Sequence, residues 1–293
     1  MPAVIDYALP GPLTDLSGVP DAALPPPADP LALCGVARGL VVGPLDAHGL
    51  GLPPGRSATN QVRPAAALVQ AVLALDPAPL TVTRPPARRI VGTCRHVAVL
   101  TVALLRHHGV PARARCGFAT YFEPGRGVDH WVVEYRTSPS APWRRVDPEL
   151  PPSADARGGY RSAASDSAFP VPDVSTSDGT AVAGEFLTGG EAWVAYRRGA
   201  VDASRFGVAG TSGVWGPAEI KGNAIRDLAA LNKVEVLPWD EWGRMADAYA
   251  GRTGPDHDTL VDAVAAVCGA DDPAFVADLY ARDELRVPEH LQR

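Results

Sequence analysis

Apolar residues recur at helical spacing in the segment after Cys94, and Gly109 and Pro111 then interrupt the pattern. Glycine and proline in these positions are typical helix stops. The segment therefore predicts an amphipathic helix with Cys94 in its first turn and Thr93 as its N-cap residue. The apolar positions of this helix are Val97, Leu100, Leu104 and Leu105.

Two later segments, residues 130–136 and 143–147, are rich in aromatic and β-branched residues, which favours β-strands. Residues 137–142 between them contain serine and proline and predict a hairpin connection. Paired in this way, the two strands place His130 and Asp147 across from each other on one face.

Polar and proline-rich stretches divide the rest of the chain. Residues 1–55 predict an irregular N-terminal section, and a helix is expected to begin near residue 60. Residues 151–180 are dense in proline, serine, aspartate and glycine and predict a loop or lid. Residues 181–293 predict a mainly helical C-terminal region, either separate or part of the same domain. The helices expected there span residues 185–198, 217–232, 238–249, 258–268 and 272–285.

Cys94, His130 and Asp147 supply a nucleophile, a base and an orienting carboxylate. In a first helical turn, unpaired N–H groups and the helix dipole favour a thiolate, so we expect a lowered pKa for Cys94. Taken singly, a cysteine on an apolar helix and a histidine beside tryptophan are more often structural residues. Three such residues on the expected elements, in this order, favour a catalytic triad.

Four motifs follow one another between about residues 85 and 150: Cys-Arg-His, Gly-Val-Pro-Ala-Arg, Asp-His-Trp-Val-Val and Arg-Val-Asp-Pro. This pattern resembles the core of the transglutaminase-like superfamily, a papain-like Cys-His-Asp core. The resemblance implies an α+β fold, with the catalytic helix packed on an antiparallel sheet and residues 56–150 as the catalytic core. It also implies that Cys94, His130 and Asp147 are the nucleophile, the base and the carboxylate.

A thiolate of this kind attacks an acyl carbon, forms a thioester and passes the acyl group to water or to an amine. The sequence therefore predicts an amidase or peptidase, or a thiol acyltransferase, with an amide, peptide or amine substrate, and leaves the choice open. The alternative is a catalytically degenerate scaffold that serves as a binding or assembly module, with a protein partner on the C-terminal helices. Many relatives carry an acidic residue where this chain has His96, so the surroundings of the thiol differ. The mechanism requires no metal or organic cofactor.

Further site residues are less strongly indicated. The oxyanion needs donors such as the backbone N–H of the nucleophile and one more group, for which Gln61 and Asn60 are candidates. The candidates for substrate binding are Arg226, Asn223 and Trp215. The guanidinium of Arg226 offers two parallel donors to a substrate carboxylate. An internal pair of Arg226 with an acidic residue is the alternative. The remaining cysteines are too far apart along the chain to suggest zinc binding.

Composition limits the class of partner and the location. The 293 residues carry a formal net charge of −6, which argues against general nucleic-acid binding. The longest apolar stretch, residues 97–105, is too short to span a bilayer, and no signal-peptide pattern is evident. Few, unpatterned cysteines fit a reducing cytoplasm. The scarcity of lysine beside abundant alanine, proline, glycine and arginine suggests a GC-rich bacterial genome.

Overall fold

The computed structural model describes residues 5–138, 140–150 and 185–293. These residues combine helices with an antiparallel sheet, which confirms the predicted α+β class. The loop or lid predicted at residues 151–180 lies outside the described residues. Within them, no helix has both the length and the apolar character needed to cross a membrane.

The described parts of the chain form seven strands and nine α-helices. The elements up to residue 150 are α1 (Pro30–Arg38), β1 (Val41–Val42), α2 (Pro44–Gly49), α3 (Ala65–Leu75), β2 (Ile90–Val91), α4 (Cys94–His107), β3 (Ala112–Ala119), β4 (Gly127–Tyr135) and β5 (Arg144–Val146). The later elements are β6 (Phe186–Thr188), α5 (Gly189–Arg197), β7 (Phe206–Gly207), α6 (Pro217–Leu231), α7 (Gly243–Tyr249), α8 (Pro255–Ala270) and α9 (Pro273–Tyr280). Short 3-10 helices lie at Asp21–Ala23, Pro54–Gln61, Pro86–Arg88, Ala203–Arg205 and Glu289–Leu291.

α4 begins at Cys94 because the residues around its start cap the first turn. Thr93 is the N-cap residue, and its backbone N–H donates to Nδ1 of His96 at 3.0 Å. Histidine thus occupies the position that glutamate or glutamine usually holds in a capping box. β3 and β4 pack against α4 from the sheet side, and α1 and α3 pack against it as well. This packing fixes Cys94 relative to the sheet.

The main sheet has the strand order β5-β4-β3-β6, in which all neighbours are antiparallel, and β7 joins β4 in parallel. β4 and β5 form the expected hairpin, with Val133 opposite Val146. Asp147 follows directly after this pair and lies diagonally across from His130 of β4. A separate parallel pair, β1 and β2, leads into α4.

α6 completes the edge of β3 that β6 leaves open. β6 pairs only with residues 117–119 of β3. Just before that stretch, Asp227 of α6 accepts the backbone N–H of Cys116 at 3.0 Å, and Nδ2 of Asn223 donates to the carbonyl of Gly117 at 3.1 Å. Buried backbone groups without such partners would be costly. The C-terminal helices are therefore built into the sheet by hydrogen bonds.

Glu134 of β4 is the centre of a buried ionic network. Its carboxylate lies 2.7 Å from Nε of Arg113 and 2.9 Å from the guanidinium groups of Arg115 and Arg145. Arg115 also binds Asp227 of α6 at 2.8 Å. The network thus joins three strands of the sheet to the C-terminal helices.

The N-terminal section is more regular than the sequence predicts. α1 forms because the Asp29 side chain accepts the N–H of Leu31 at 2.9 Å and thereby caps the first turn. α3 begins at Ala65, later than the expected start near residue 60, because a 3-10 helix ends at Gln61 and proline precedes Ala65.

Two C-terminal helices also start later than predicted. Residues 186–188 pair with β3 as β6, so the helix expected from residue 185 begins only after them. α7 starts at Gly243 because Asp240 accepts the N–H of Leu237 at 2.8 Å and holds the preceding residues in a turn. Strand pairing overrides the helical pattern in the first case, and a local hydrogen bond does so in the second.

Gly117 lies where three strands approach closely, opposite His130 on one side and Thr188 on the other. A Cβ at this position would lie 2.0 Å from the carbonyl oxygen of Leu187. We expect Gly117→Ala to lower the free energy of unfolding by about 3 kcal/mol through overpacking, measured by urea denaturation. Gly35→Ala is the control, because nothing lies within 4 Å of its Cβ. Equal midpoints for the two variants would contradict the close approach.

Candidate active site

Cys94 occupies the first position of α4 and is partly exposed, whereas the residues that follow it are buried. Its thiol is hydrogen-bonded to the imidazole of His130. The first N–H groups of a helix have no acceptor within the helix, so they are available to a negatively charged oxygen beside the thiol. The thiol therefore has a base next to it and lies at the N-terminus of a helix.

His130 connects the thiol to a buried carboxylate. Its Nε2 lies 2.8 Å from Oδ2 of Asp147, which leaves Nδ1 for Cys94. Asp147 is fully buried, and it accepts hydrogen bonds from the Tyr121 hydroxyl at 2.6 Å and from the N–H of Glu149 at 2.9 Å. The structure thus brings the three predicted triad residues together, and their catalytic role remains a prediction.

Aromatic rings surround the His130 imidazole. Phe122 meets it edge to face at 4.9 Å between ring centroids, and Tyr121 and Phe186 lie at 6.4 and 6.5 Å. This packing restricts rotation of the imidazole, so Nδ1 stays directed at the thiol.

The His130–Asp147 pair favours an imidazolium beside a carboxylate. Burial acts to lower the pKa of His130, but the charge and hydrogen bond of Asp147, together with Cys94, raise it well above its ordinary value. Burial acts to raise the pKa of Asp147, but His130 and the Tyr121 hydroxyl hold it below its ordinary value. The site therefore stabilises the charges that exist once the thiol proton has moved to His130.

The pKa of the thiol itself is raised, so the lowered value expected from the helix dipole is wrong. Burial raises the pKa of Cys94, His130 lowers it in part, and the nearby carboxylates of Glu149 and Asp129 raise it again. The helix N-terminus is the local feature that the sequence shows. Desolvation and the charges of the two carboxylates depend on tertiary structure, and here they raise the thiol pKa although the helix N-terminus favours a lower one.

Glu149 is a site residue that the sequence analysis missed. Its Oε2 lies 3.9 Å from Nδ1 of His130, the ring nitrogen that faces the thiol. Burial raises the pKa of Glu149 to about 7, against the opposing effect of His130. The available signal is its position two residues after Asp147, where a turn brings its side chain back to the same site.

His96 contributes no charge next to the thiol. Burial lowers the pKa of His96 to about 3, and the positive charge of Arg95 acts in the same direction. A neutral ring agrees with Nδ1 accepting the N–H of Thr93. Where many relatives have an acidic residue, this chain therefore has an uncharged helix cap.

The two candidate oxyanion donors have different surroundings. Asn60 follows Thr59, whose hydroxyl bonds the carbonyl and the N–H of Val91 at 2.7 and 3.0 Å, just before α4. Oδ1 of Asn60 is buried and has no hydrogen-bond partner within the described residues. Gln61 is exposed, and its Oε1 accepts from Nε1 of Trp239 at 3.1 Å. These contacts involve the amide oxygens and not the amide nitrogens that would donate, so Asn60 and Gln61 both stay candidates for the second donor.

Arg226 and Asn223 lie in a buried polar network behind the site. Nη1 of Arg226 donates to Tyr249 at 2.9 Å and to Asn223 at 3.0 Å, and lies 3.4 Å from the carboxylate of Glu219. Nδ2 of Asn223 donates to the Asp129 carboxylate at 2.7 Å. The internal pair that the sequence left as the alternative for Arg226 is the geometry observed. Direct contact of these two residues with substrate is untested. Their internal hydrogen bonds do not favour it.

Trp215 is partly exposed, unlike the two other substrate-binding candidates. Its ring lies 4.8 Å from the guanidinium of Arg126, and its Nε1 donates to the carbonyl of Thr211 at 3.0 Å. Its contact with substrate is likewise untested.

Among the described residues, no group of three or more histidine, cysteine, aspartate or glutamate side chains is arranged to hold a metal ion.

Residues 78–148 match the family model of the transglutaminase-like superfamily. This segment carries α4, the central strands β3 and β4, and all three triad candidates, and the match confirms the resemblance seen in the sequence. Searches of curated proteins and of solved structures find no match to the chain. The C-terminal helices lie outside the matched region.

Proposed function

We propose that this chain is a cysteine enzyme that attacks an amide or peptide bond with Cys94 and forms a thioester, which water or an amine then resolves. The observation that carries the proposal is the chain of hydrogen bonds from the Cys94 thiol through His130 to the buried Asp147. The match to the transglutaminase-like superfamily supports it, because this chemistry is typical of a cysteine-protease-like or acyltransferase superfamily.

The first half-reaction forms the acyl-enzyme. The Cys94 proton passes to Nδ1 of His130, and Sγ attacks the carbonyl carbon. The carbonyl oxygen becomes an oxyanion, which the Cys94 N–H and a second donor, Asn60 or Gln61 in our proposal, stabilise. Collapse of the intermediate breaks the carbon–nitrogen bond, and the His130 proton leaves with the amine.

The second half-reaction releases the acyl group. Water or an acceptor amine gives a proton to Nδ1 of His130 and attacks the thioester carbon, and the carbon–sulfur bond then breaks. The proton on His130 returns to Sγ, which restores the starting state. Asp147 stays ionised throughout and holds Nε2 of the imidazole.

We also propose a cytoplasmic location for this reaction. All four cysteines are free, and a reducing compartment keeps the nucleophilic thiol from oxidising.

A panel of peptides and simple amides, incubated with and without a primary amine, tests the proposal by intact mass and product analysis. We expect an acyl adduct on Cys94, and loss of turnover by at least about 10⁴-fold in Cys94→Ala. Products that appear only with the amine identify transfer, and products unaffected by it identify hydrolysis. Cys34→Ala is the matched control, since Cys34 is buried in the core. Turnover that survives in Cys94→Ala, or the absence of any adduct, would contradict the proposal and favour a binding module.

A further inference from the structure

We propose that Glu149 is a positioning residue of the Cys94–His130 pair, whose ionised carboxylate holds the thiol in its neutral form until substrate arrives. The inference rests on the proposed function and adds a fourth side chain to it. Its basis is that Glu149 lies on the thiol side of the imidazole, 3.9 Å from Nδ1, opposite the side that Asp147 occupies.

The backbone around Glu149 is fixed on both sides. Its N–H donates to Oδ1 of Asp147 at 2.9 Å, and the carbonyl of Leu150 accepts from Nη1 of Arg38 at 2.6 Å. The side chain is 24% exposed, so part of it is accessible to solvent. The imidazole of His130 therefore lies between two carboxylates that belong to the same turn.

The distance of 3.9 Å determines how Glu149 acts. It is too long for a hydrogen bond, so the carboxylate does not take Nδ1 away from the Cys94 thiol. At this range the interaction is electrostatic, and it is strong because the site is largely shielded from water. A negative charge here favours a proton on His130 whether or not the thiol is ionised, and it disfavours a thiolate on Cys94 beside that imidazolium.

The charges that face Glu149 come from four elements. His130 of β4 is the cationic partner, Asp147 follows β5, Asp46 belongs to α2, and the Cys94 thiol begins α4. Burial, Asp147 and Asp46 together outweigh His130 and raise the pKa of Glu149 to about 7. Glu149 therefore changes its charge near neutral pH, where the Cys94–His130 pair must work.

The effect of this charge differs between the two halves of the reaction. In the free site the charge opposes ionisation of Cys94, so the fraction of reactive thiolate stays low. Once Sγ carries an acyl group, Cys94 can no longer ionise, so this unfavourable effect of the charge disappears. Glu149 then only stabilises the imidazolium, which makes His130 a stronger base toward water or an amine.

The test is the pH dependence of Cys94 alkylation by iodoacetamide between pH 5 and 10, with adducts counted by intact mass. It needs no substrate, and the other three cysteines are buried, so a single adduct reports Cys94. We expect the alkylation midpoint of Glu149→Gln to lie about 1 pH unit below that of the wild type, a tenfold gain in thiolate near neutral pH. Glu149→Asp, which keeps the charge, should stay near the wild type, and so should the exposed control Glu289→Gln.

An unchanged or higher midpoint in Glu149→Gln overturns the inference, and so does an equal downward shift in Glu149→Asp. If the glutamine variant gains adducts on all four cysteines, as an unfolded chain would, Glu149→Met supplies a second neutral side chain for the same comparison. A downward shift without any acyl adduct in the substrate panel would overturn the proposed function alone. Acyl adducts without a shift would overturn only the role of Glu149.

Discussion

Replacing Asp147 by asparagine is expected to lower the rate of Cys94 acylation by about 10³–10⁴-fold while leaving the fold intact. The reason is the tautomer of His130. In the wild type, Nε2–H donates to Oδ2 of Asp147, and Nδ1 is free to accept the thiol proton. The N–H of Glu149 donates to the other oxygen, Oδ1, at 2.9 Å.

In Asp147→Asn the amide oxygen keeps the bond from Glu149, so the amide NH₂ takes the place of Oδ2. It then donates to Nε2, and the ring proton moves to Nδ1, which can no longer accept a proton from Cys94. The measurement is the acylation rate on the substrate found in the panel, beside the rate of alkylation by iodoacetamide at pH 7. Loss in both assays would show that the defect lies in activating the thiol.

Tyr121→Phe is the graded comparison for this experiment. It removes the hydroxyl that donates to Oδ2 of Asp147 at 2.6 Å but keeps the carboxylate, so we expect a much smaller loss of about tenfold. Wild-type rates in Asp147→Asn, with Cys94 still required, would contradict the orienting role of the carboxylate.

Replacing Glu134 by glutamine is expected to lower the free energy of unfolding by about 3–5 kcal/mol. Three guanidinium groups, from Arg113, Arg115 and Arg145, converge on this one carboxylate, and Glu134 is 3% exposed. In the variant, the three buried guanidinium groups lose the negative charge of Glu134, because glutamine is neutral. Urea denaturation at pH 7, followed by tryptophan fluorescence, measures the loss.

The same carboxylate predicts how stability depends on pH. Burial acts to raise the pKa of Glu134, but Arg115, Arg113 and Arg145 hold it well below the ordinary 4.5. Because the folded-state pKa is depressed, this stabilisation is complete above about pH 4.5 and is lost as the pH falls through the folded-state value. We therefore expect the wild type to lose stability below pH 4.5 more steeply than Glu134→Gln does.

Glu191→Gln is the matched control at the edge of the same network. Its side chain is 37% exposed and lies 3.4 Å from Arg145, so we expect a change below about 1 kcal/mol. A similarly small effect of Glu134→Gln would show that the buried network contributes little to stability.

The helix α4 and the hairpin could be predicted from the sequence because both depend on residues close together in the chain. The apolar spacing after Cys94 and the stop at Gly109 describe α4 without reference to the rest of the fold. The β-branched run of β4 likewise predicts a strand. The short strand β6 was missed, because three residues carry too little pattern and are held in place by pairing with β3.

The side chains around the triad were harder to predict. The sequence offered Arg226 either as a substrate-binding residue or as part of an internal ion pair, and the pair is observed because α6 packs along β3 and buries both Arg226 and Asn223. Glu149 was not singled out from the sequence, and only the turn after β5 brings it toward His130. Such contacts join segments that are far apart in the chain or depend on the path of a turn.

By itself, the sequence determined the order of Cys94, His130 and Asp147, the elements that carry them and the resemblance to the transglutaminase-like superfamily, because these follow from local patterning and motif spacing. The tertiary structure alone decided the electrostatic state of the site. Burial of Cys94 and the nearby carboxylates of Asp129 and Glu149 raise the pKa of the thiol, although its place at a helix N-terminus favours the opposite. The physical reason is that desolvation and Coulomb interactions depend on distances in space, and spacing along the chain does not give those distances.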